Sequence, residues 1–279
     1  MTIIYKQPEM LNFYIAGLFE GDGHIVMPTV FNKHNPRWHI TLHIKNKPLA
    51  QKLLGKIGYG FIRYKTKQNA CVLTVSPVKG LKVLINMMNG KLRTPKINQL
   101  YVLIDWLNKH HGTKIKKLPP YLGHLSKDAW LAGFIDADGS FGIRDTKKAP
   151  GIKHKISCRF RLEQRMVDAK TNQSYSSALA LIADYLVVRL NTRTQKSTKR
   201  AYYIIEISSR ASIIILIDYL DHYGLLSAKL LDYLDWRKAA QHIIHKRNFT
   251  QEGLAEISVL KNNMNTGRSH FNWDHLNNF

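Results

Sequence analysis

A nine-residue block occurs twice, as Ile15-Ala16-Gly17-Leu18-Phe19-Glu20-Gly21-Asp22-Gly23 and as Leu131-Ala132-Gly133-Phe134-Ile135-Asp136-Ala137-Asp138-Gly139, with Asp22 and Asp138 lying 116 residues apart. That spacing is the length of a small domain, so the chain reads as two copies of one half-sized unit. Each block mixes apolar, small and acidic residues in a way that suits a buried helix with a special end. Gly17 and Gly21, and Gly133 and Ala137, are small-x-x-x-small pairs that let another backbone approach closely. The acids fall at the end of the helix, just ahead of a glycine suited to stop it. A carboxylate there faces the negative end of the helix dipole, which costs a few tenths to ~1 kcal/mol. If the two helices pack together, Asp22 and Asp138 also become like-charged neighbours. A local rule broken twice, at matched positions, points to chemistry.

A chain of 279 residues, 44% of them hydrophobic, can build one large domain or two ordinary ones. Its formal net charge is +23, and the distribution says more than the size. From Gly23 to Ile104 there is no Asp or Glu, against fourteen Lys and Arg. Residues 141–210 carry fifteen Lys and Arg against five acids. Both copies therefore present a basic segment directly after an acidic helix end. A solvated basic surface or an anionic-membrane binder is the plainer reading, but an acid-free run of 82 residues favours a polyanion-binding face.

Several function classes drop out. Cys71 and Cys158 cannot form a zinc site alone and suggest no disulfide framework. The histidines have no C-x-x-C or H-E-x-x-H partner, and no glycine-rich loop ends in Gly-Lys-Ser/Thr, which argues against nucleotide hydrolysis. The apolar run Ile213–Ile217 ends at Asp218, far short of a membrane span, so no membrane partner is expected. Residues 1–10 have neither secretory nor transit-peptide character.

Hydrophobic periodicity gives the organisation. Arg37–Ile44 alternates, with Trp38, Ile40, Leu42 and Ile44 apolar and Arg37, His39, Thr41 and His43 polar, as in a strand with one face on a core. Gly60–Lys65 and Ala70–Ser76 read as a hairpin, with Pro48–Lys56 and Leu81–Met88 as helices. In the second copy Lys155–Arg161 alternates, Val187–Arg193 and Tyr202–Ser208 form the hairpin, and Ala178–Tyr185 and Ile213–Tyr219 the helices. The offset between copies grows from 116 to 133, mostly within Met166–Ser176, a polar insertion placed in a loop. Residues 1–107 form the first unit, 108–127 a basic connector containing Pro119-Pro120, 128–240 the second unit, and 241–279 a tail. In the tail Thr250–Asn263 reads as a helix with Thr250 as N-cap, followed by a polar, loosely held end.

The expected fold is α+β: two pseudo-symmetric αββαββα units, giving two antiparallel four-stranded sheets beneath a shared acidic pair. A strand of roughly 10 residues spans about 33 Å, close to one turn of B-DNA. Two sheets end to end would form a saddle following the major groove, with basic and polar side chains facing phosphates and base edges. Two carboxylates held together at its midpoint suit divalent cations, Mg²⁺ above all, and two-metal sites serve the attacking and leaving oxygens of a phosphodiester.

These two blocks, at domain spacing, resemble the LAGLIDADG homing endonucleases in their single-chain, two-motif form, and the resemblance runs from about Leu11 to about Arg268. It implies metal-binding acids at the eighth position of each motif, Asp22 and Asp138, with backbone carbonyls of Gly21 and Ala137 also offered to metal. The sixth-position acids, Glu20 and Asp136, are expected to be structural, capping or pairing across the helix interface. The resemblance further implies a basic residue near each scissile phosphate, matched here by Lys96 in Thr94-Pro95-Lys96 and Lys229 in Ser227-Ala228-Lys229. Water-positioning polar residues at the strand ends match Asn46 and Gln164. Where relatives carry a further basic residue one turn later, this chain has Ala50 and Asp168. It also lacks, in the second unit, a counterpart to Gly58-x-Gly60, having Leu186 and Val188. The segment from Phe249 to Asn265 looks like the C-terminal part of organelle intron-encoded members.

The function implied is cleavage of one phosphodiester in each strand of a long, non-palindromic duplex by a monomer, leaving 3′ overhangs. Mg²⁺ is the expected cofactor, with Mn²⁺ substituting and Ca²⁺ binding without turnover. The DNA-facing positions are Arg37, His39, Thr41, His43, Arg63 and Lys65 in the first unit and Arg144, Lys155, Arg159, Arg161, Arg189 and Arg193 in the second. An organelle, mitochondrion or chloroplast, is the expected location. Two other classes compete: an RNA maturase acting on its host intron, and a DNA-binding regulator that does not cut. An inactive descendant is free to lose an acid or a lysine, and this chain keeps both of each.

Overall fold

The computed structural model describes residues 3–29, 31, 34–146, 155–247 and 250–278. Helix α1 (Pro8–Asp22) opens on Pro8, whose missing N–H is no loss in a first turn, and stops at Gly23. Strands β1 (Gly23–Val26) and β2 (Arg37–His43) follow, then α2 (Lys47–Ile57), β3 (Phe61–Lys65), β4 (Ala70–Val75), α3 (Val78–Met88) and α4 (Ile97–His111). The second unit repeats the order: α5 (Trp130–Asp138), β5 (Gly139–Thr146), β6 (Lys155–Arg165), α6 (Ser176–Tyr185), β7 (Asn191–Thr194), β8 (Ala201–Ile207), α7 (Arg210–Tyr223) and α8 (Lys229–Ile244). A last helix, α9 (Gln251–Asn263), packs on α8, its Thr250 hydroxyl accepting from the Gly253 N–H as an N-cap. Each unit thus holds one helix more than expected.

Both sheets are antiparallel and share one topology, β1-β2-β4-β3 and β5-β6-β8-β7. Trp38, Ile40 and Leu42 are buried on the inner face of the first sheet, as Cys158, Phe160 and Leu162 are in the second. The strand phase is therefore the one that the alternation predicts. Ile44 is an exception, since it has already left β2 for a short 3₁₀ turn, Ile44–Asn46. Among the described residues no helix is long and apolar enough to cross a membrane.

Three expectations are corrected. The strand foreseen at Val187–Arg193 is the shorter β7, and Arg189 lies exposed in the loop before it. The first unit makes the corresponding turn with left-handed Gly58 (φ 75°) and Gly60 (φ 117°). The second forces Val187 into that region (φ 54°), where a β-branched residue is strained. Backbone bonds from Val187 to Asp184 and from Val188 to Ala183 prolong the helix end and delay the strand. Next, the connector begins inside α4, which continues to His111. Finally, the end of the chain is docked. The Asn265 N–H donates to Asp232 at 2.9 Å, Arg268 pairs with Asp232 and Asp235 on α8, and Leu276 is buried. Phe249 lies outside the described residues.

Candidate active site

The two repeated blocks pack on each other as α1 and α5. Their small residues are what allow it. A Cβ on Gly17 would lie 1.9 Å from the Trp130 carbonyl oxygen, and one on Gly133 would lie 2.0 Å from that of Tyr14. Nearer the helix ends, a Cβ on Gly21 would meet the Ala137 methyl at 2.1 Å and an Asp138 carboxylate oxygen at 3.1 Å. Backbone contact along the helices therefore brings Asp22 and Asp138 together in one recess.

The recess holds an unusual charge arrangement. Burial and the neighbouring Asp138 push the Asp22 carboxyl up to about 6. Burial also raises Asp138, against the pull of Lys96 and Lys229 and a hydrogen bond from the Gln164 amide at 2.9 Å. Both lysines are half-buried beside the acids, and desolvation of their ammonium groups lowers both below the ordinary lysine range. Lys96 Nζ donates to the carbonyls of Phe19 (3.2 Å) and Gly21 (2.7 Å). Lys229 Nζ donates to those of Ile135 (2.8 Å), Asp136 (2.9 Å) and Ala137 (3.3 Å). Each lysine thus caps a helix end: the Phe19 and Ile135 carbonyls also accept the N–H of Gly23 and Gly139, whereas those of Gly21, Asp136 and Ala137 lie in the last turn, where intrahelical donors run out.

The sixth-position acids explain why the lysines stand where they do. Glu20, fully buried, accepts from the Thr94 N–H and hydroxyl (both 2.5 Å), from the Arg93 N–H (2.9 Å) and from Trp130 Nε1 (2.6 Å). Asp136 accepts from the Leu226 N–H (2.7 Å), the Ser227 N–H (3.1 Å) and hydroxyl (2.5 Å), and the Tyr14 hydroxyl (2.7 Å). Each acid ties down the turn that carries its own unit's lysine, and each takes a ring donor from the opposite helix. Tyr14 and Trp130 occupy equivalent positions, one residue before each block. Capping or pairing across the interface was the expected role; pairing occurs, through Trp130 and Tyr14, and in place of a helix cap each acid holds the turn that precedes α4 or α8. The hydroxyl-x-Lys pattern of Thr94-Pro95-Lys96 and Ser227-Ala228-Lys229 is the sequence signal for this link.

Chemically, the recess offers carboxylate and carbonyl oxygens with two desolvated ammonium groups. Among the described residues no cluster of three His, Cys, Asp or Glu side chains exists, which disfavours an all-protein metal cage. Two carboxylates, one of them, Asp22, held back from ionising by burial and by its like-charged neighbour, are the donor set of a hard cation that keeps water and phosphate as its other ligands.

A model of the LAGLIDADG endonuclease family matches residues 15–107 and 131–240. An uncharacterized cox1 intron-2 protein of Schizosaccharomyces pombe is 31% identical over 88% of this chain and 69% of its own length. The chain belongs to the LAGLIDADG endonuclease family. The intron-encoded DNA endonuclease aI3 of Saccharomyces cerevisiae is 28% identical, covering 97% of this chain and 73% of that protein. Among solved structures, the homing endonuclease I-LtrWI bound to target DNA superposes with a TM-score of 0.72 at 21% identity, over 94% of this chain and 100% of that one. I-SmaMI bound to cleaved DNA gives 0.71 at 21% identity, over 92% and 97%. Both share the fold.

In this LAGLIDADG chain the outward sheet positions fall largely as foreseen. Arg37, His43, Arg63, Lys65, Arg144, Lys155 and Arg193 are exposed, and Thr41, Arg159 and Arg161 half-buried. His39 departs from expectation. It lies on the outward face yet is buried, 4.9 Å from the His24 ring and 2.9 Å from the Thr74 hydroxyl. Burial, then the neighbouring His24, lowers it to about 4.

Asn46, matched to a water-positioning residue, makes its contact across the units. Its side-chain oxygen accepts from the Ala228 N–H at 2.9 Å, bracing the turn before Lys229 in the other unit. Ala50 is buried in α2. Asp168 is no surrogate for a basic residue but organises the insertion, accepting from the Lys170 N–H, the Thr171 N–H and hydroxyl, and the Tyr175 hydroxyl. So held, the insertion crosses to the first unit. Lys170 Nζ donates to the Ile25 carbonyl at 3.3 Å, and the Asn98 amide to Gln173 at 2.7 Å. Sequence reading missed Lys170 as a link to the first unit, because a contact across units leaves no local pattern.

Proposed function

We propose that this protein is a site-specific, Mg²⁺-dependent homing endonuclease that, as a monomer, cuts one phosphodiester in each strand of a long, non-palindromic DNA duplex and leaves 3′ overhangs. The observation that carries the reading is the recess itself, two acids and two half-buried lysines where α1 meets α5 between two basic sheets. Family membership supports DNA as the substrate.

Asp22 and Asp138, with the carbonyls of Gly21 and Ala137, would hold the divalent ions. Those ions, when bound, supply an activated water and charge neutralisation at the attacking and leaving oxygens. Lys96 and Lys229 bring positive charge to the two scissile phosphates, and their low-dielectric surroundings strengthen that effect. Gln164, fixed on Asp138, orients water in its half. Asn46 serves as a positioning residue for the Lys229 turn. The exposed Arg, Lys and His of both sheet faces grip phosphates and base edges. Mn²⁺ should substitute for Mg²⁺. Ca²⁺ should preserve the complex and stop turnover, because it does not enforce tight octahedral geometry.

The similar proteins named for introns support an origin inside an organelle intron. A maturase role is the second reading. Its observation is an intron-encoded RNA maturase, bI4 of Saccharomyces cerevisiae, 31% identical over 49% of this chain and 20% of its own length.

Cleavage of a randomised duplex library in Mg²⁺ tests the first reading. Cut ends should map to one asymmetric sequence, and Asp22→Asn and Asp138→Asn should each abolish cutting while sparing binding. A near wild-type rate for either variant refutes the assignment.

A further inference from the structure

The outward faces of the two sheets differ in one respect that their shared topology does not require. The first face presents Arg37, His39, Thr41, His43, Arg63 and Lys65 and has no acid. The second carries two, Glu163 on β6 and Glu206 on β8, both among arginines. Glu163 Oε2 accepts from Arg161 Nη2 at 2.5 Å and lies 3.6 Å from Arg193 Nη1. Glu206 pairs with Arg159 at 2.8 Å and stands opposite Arg161 in the register. The Arg161 Nε is buried without an acceptor, and the hydrogen bond from Nη2 to Glu163 is what orients that guanidinium.

A carboxylate on a DNA-binding face needs a reason. Phosphates only accept hydrogen bonds, so an acid facing the backbone repels it and cancels cations that would otherwise release counterions. A carboxylate gains from a duplex only where the bases offer donors, and in the major groove the cytosine N4 amine is its usual partner. Guanine, in the same base pair, offers O6 and N7 to an arginine fork. Two arginines on one carboxylate therefore match a C·G pair: the acid meets cytosine, and a fork held by that acid meets guanine. The pairing also pre-orders two long side chains before binding, which reduces the entropy lost on contact.

We propose that the Arg161–Glu163–Arg193 cluster is a base-reading element that selects a C·G pair in the half-site beneath the second unit. The inference rests on the endonuclease reading above and deepens it. The test compares cleavage profiles of the wild type and Glu163→Gln on the same randomised duplex library. Affinity for an unrelated duplex is measured alongside. The wild type should prefer C·G at one position of that half-site by roughly 5- to 150-fold. Glu163→Gln, equal in size and neutral, should lose the preference there, keep the profile beneath the first unit, and bind unrelated duplex more tightly. An unchanged profile with uniformly tighter binding would overturn the proposal, leaving Glu163 as a mere charge damper. A chain that binds and cuts no duplex in the library would remove the endonuclease reading and this proposal with it.

Discussion

Gly17→Ala sets two well-measured effects against each other, and the structure decides the sign. In a helix interior Ala is favoured over Gly by about 1 kcal/mol. At Gly17, however, the new methyl would sit 1.9 Å from the Trp130 oxygen and 2.8 Å from the Phe134 nitrogen, both backbone atoms of α5. Ordinary contact begins near 3.4 Å, so the helices must part by roughly 1.5 Å, and neither neighbour is a side chain that can swing away. Overpacking costs about 1–3 kcal/mol and occasionally more, and a backbone obstacle places this site at the upper end. The net expectation is a loss of about 2 kcal/mol, a fall in melting temperature of roughly 4–8 °C for a chain of this size. Gly133→Ala should behave alike. Gly55→Ala is the control, since it lies on the exposed side of α2 with nothing within 4 Å of its Cβ, and it should stabilise by up to about 1 kcal/mol. Denaturant midpoints followed by circular dichroism give the stabilities. Cleavage assayed well below the melting temperature reports the spacing of Asp22 and Asp138, and should fall for Gly17→Ala but not for Gly55→Ala. A Gly17→Ala protein that is stabilised and cuts normally would refute the close-packed interface, and with it the reason the acids meet.

Further outcomes follow from the same contacts. Glu20→Gln turns one acceptor oxygen into a donor facing other donors, losing about two charge-assisted bonds of about 1.5–3 kcal/mol each, partly offset by removing a buried charge. A net loss of about 2–4 kcal/mol by denaturant titration is expected, and a change under 0.5 kcal/mol would rule out the role given to Glu20. His39 should make the protein less stable in acid: its folded-state value is about 4 against 6.5 when free, so the unfolded chain takes up a proton that the native state refuses. Stability should be flat in this respect above pH 6.5 and fall as pH drops from there towards 4. His24, Arg37, Arg63 and Lys65 all face His39 and oppose its protonation. His39→Gln should flatten that slope in midpoints measured from pH 7 to 4.5, and an unchanged slope would place its origin elsewhere. DNA affinity should drop steeply between 50 and 200 mM salt, as counterion release requires; a flat response in a binding titration would mean that the basic faces do not touch phosphate.

What could be read in the sequence was whatever is encoded locally. The blocks at Ile15–Gly23 and Leu131–Gly139 gave up the helix pair because close-packing residues and a terminal acid recur within nine positions. Period-two alternation fixed the inner faces at Trp38, Ile40 and Leu42 and at Cys158, Phe160 and Leu162. The turn at Val187 was hidden, since no propensity rule expects a valine at φ 54°. Asn46 satisfies an N–H 182 residues away, and Arg268 closes on acids of α8 that belong to another element. These contacts depend on how finished units meet, which leaves no periodicity in either segment. The acids of the second sheet face were visible as letters, but only the register shows that Glu163 stands between two arginines.

Joining two copies in one chain relaxes a constraint that a pair of identical chains would keep. The ring donor and the acid it serves need not match their counterparts in the other half, and here they do not: Trp130 reaches Glu20 while Tyr14 reaches Asp136. The differences compensate. A tyrosine hydroxyl, at the far end of its ring, extends further than an indole nitrogen, and it is paired with the acid shorter by one methylene. Each half therefore bridges the helix pair with a different division of length. The same freedom acts on the sheets, where one face has stayed free of acids and the other has built carboxylates among its arginines. Shared geometry is retained where both halves must meet at Asp22 and Asp138. Divergence is found on the faces, where each half would meet a different stretch of duplex.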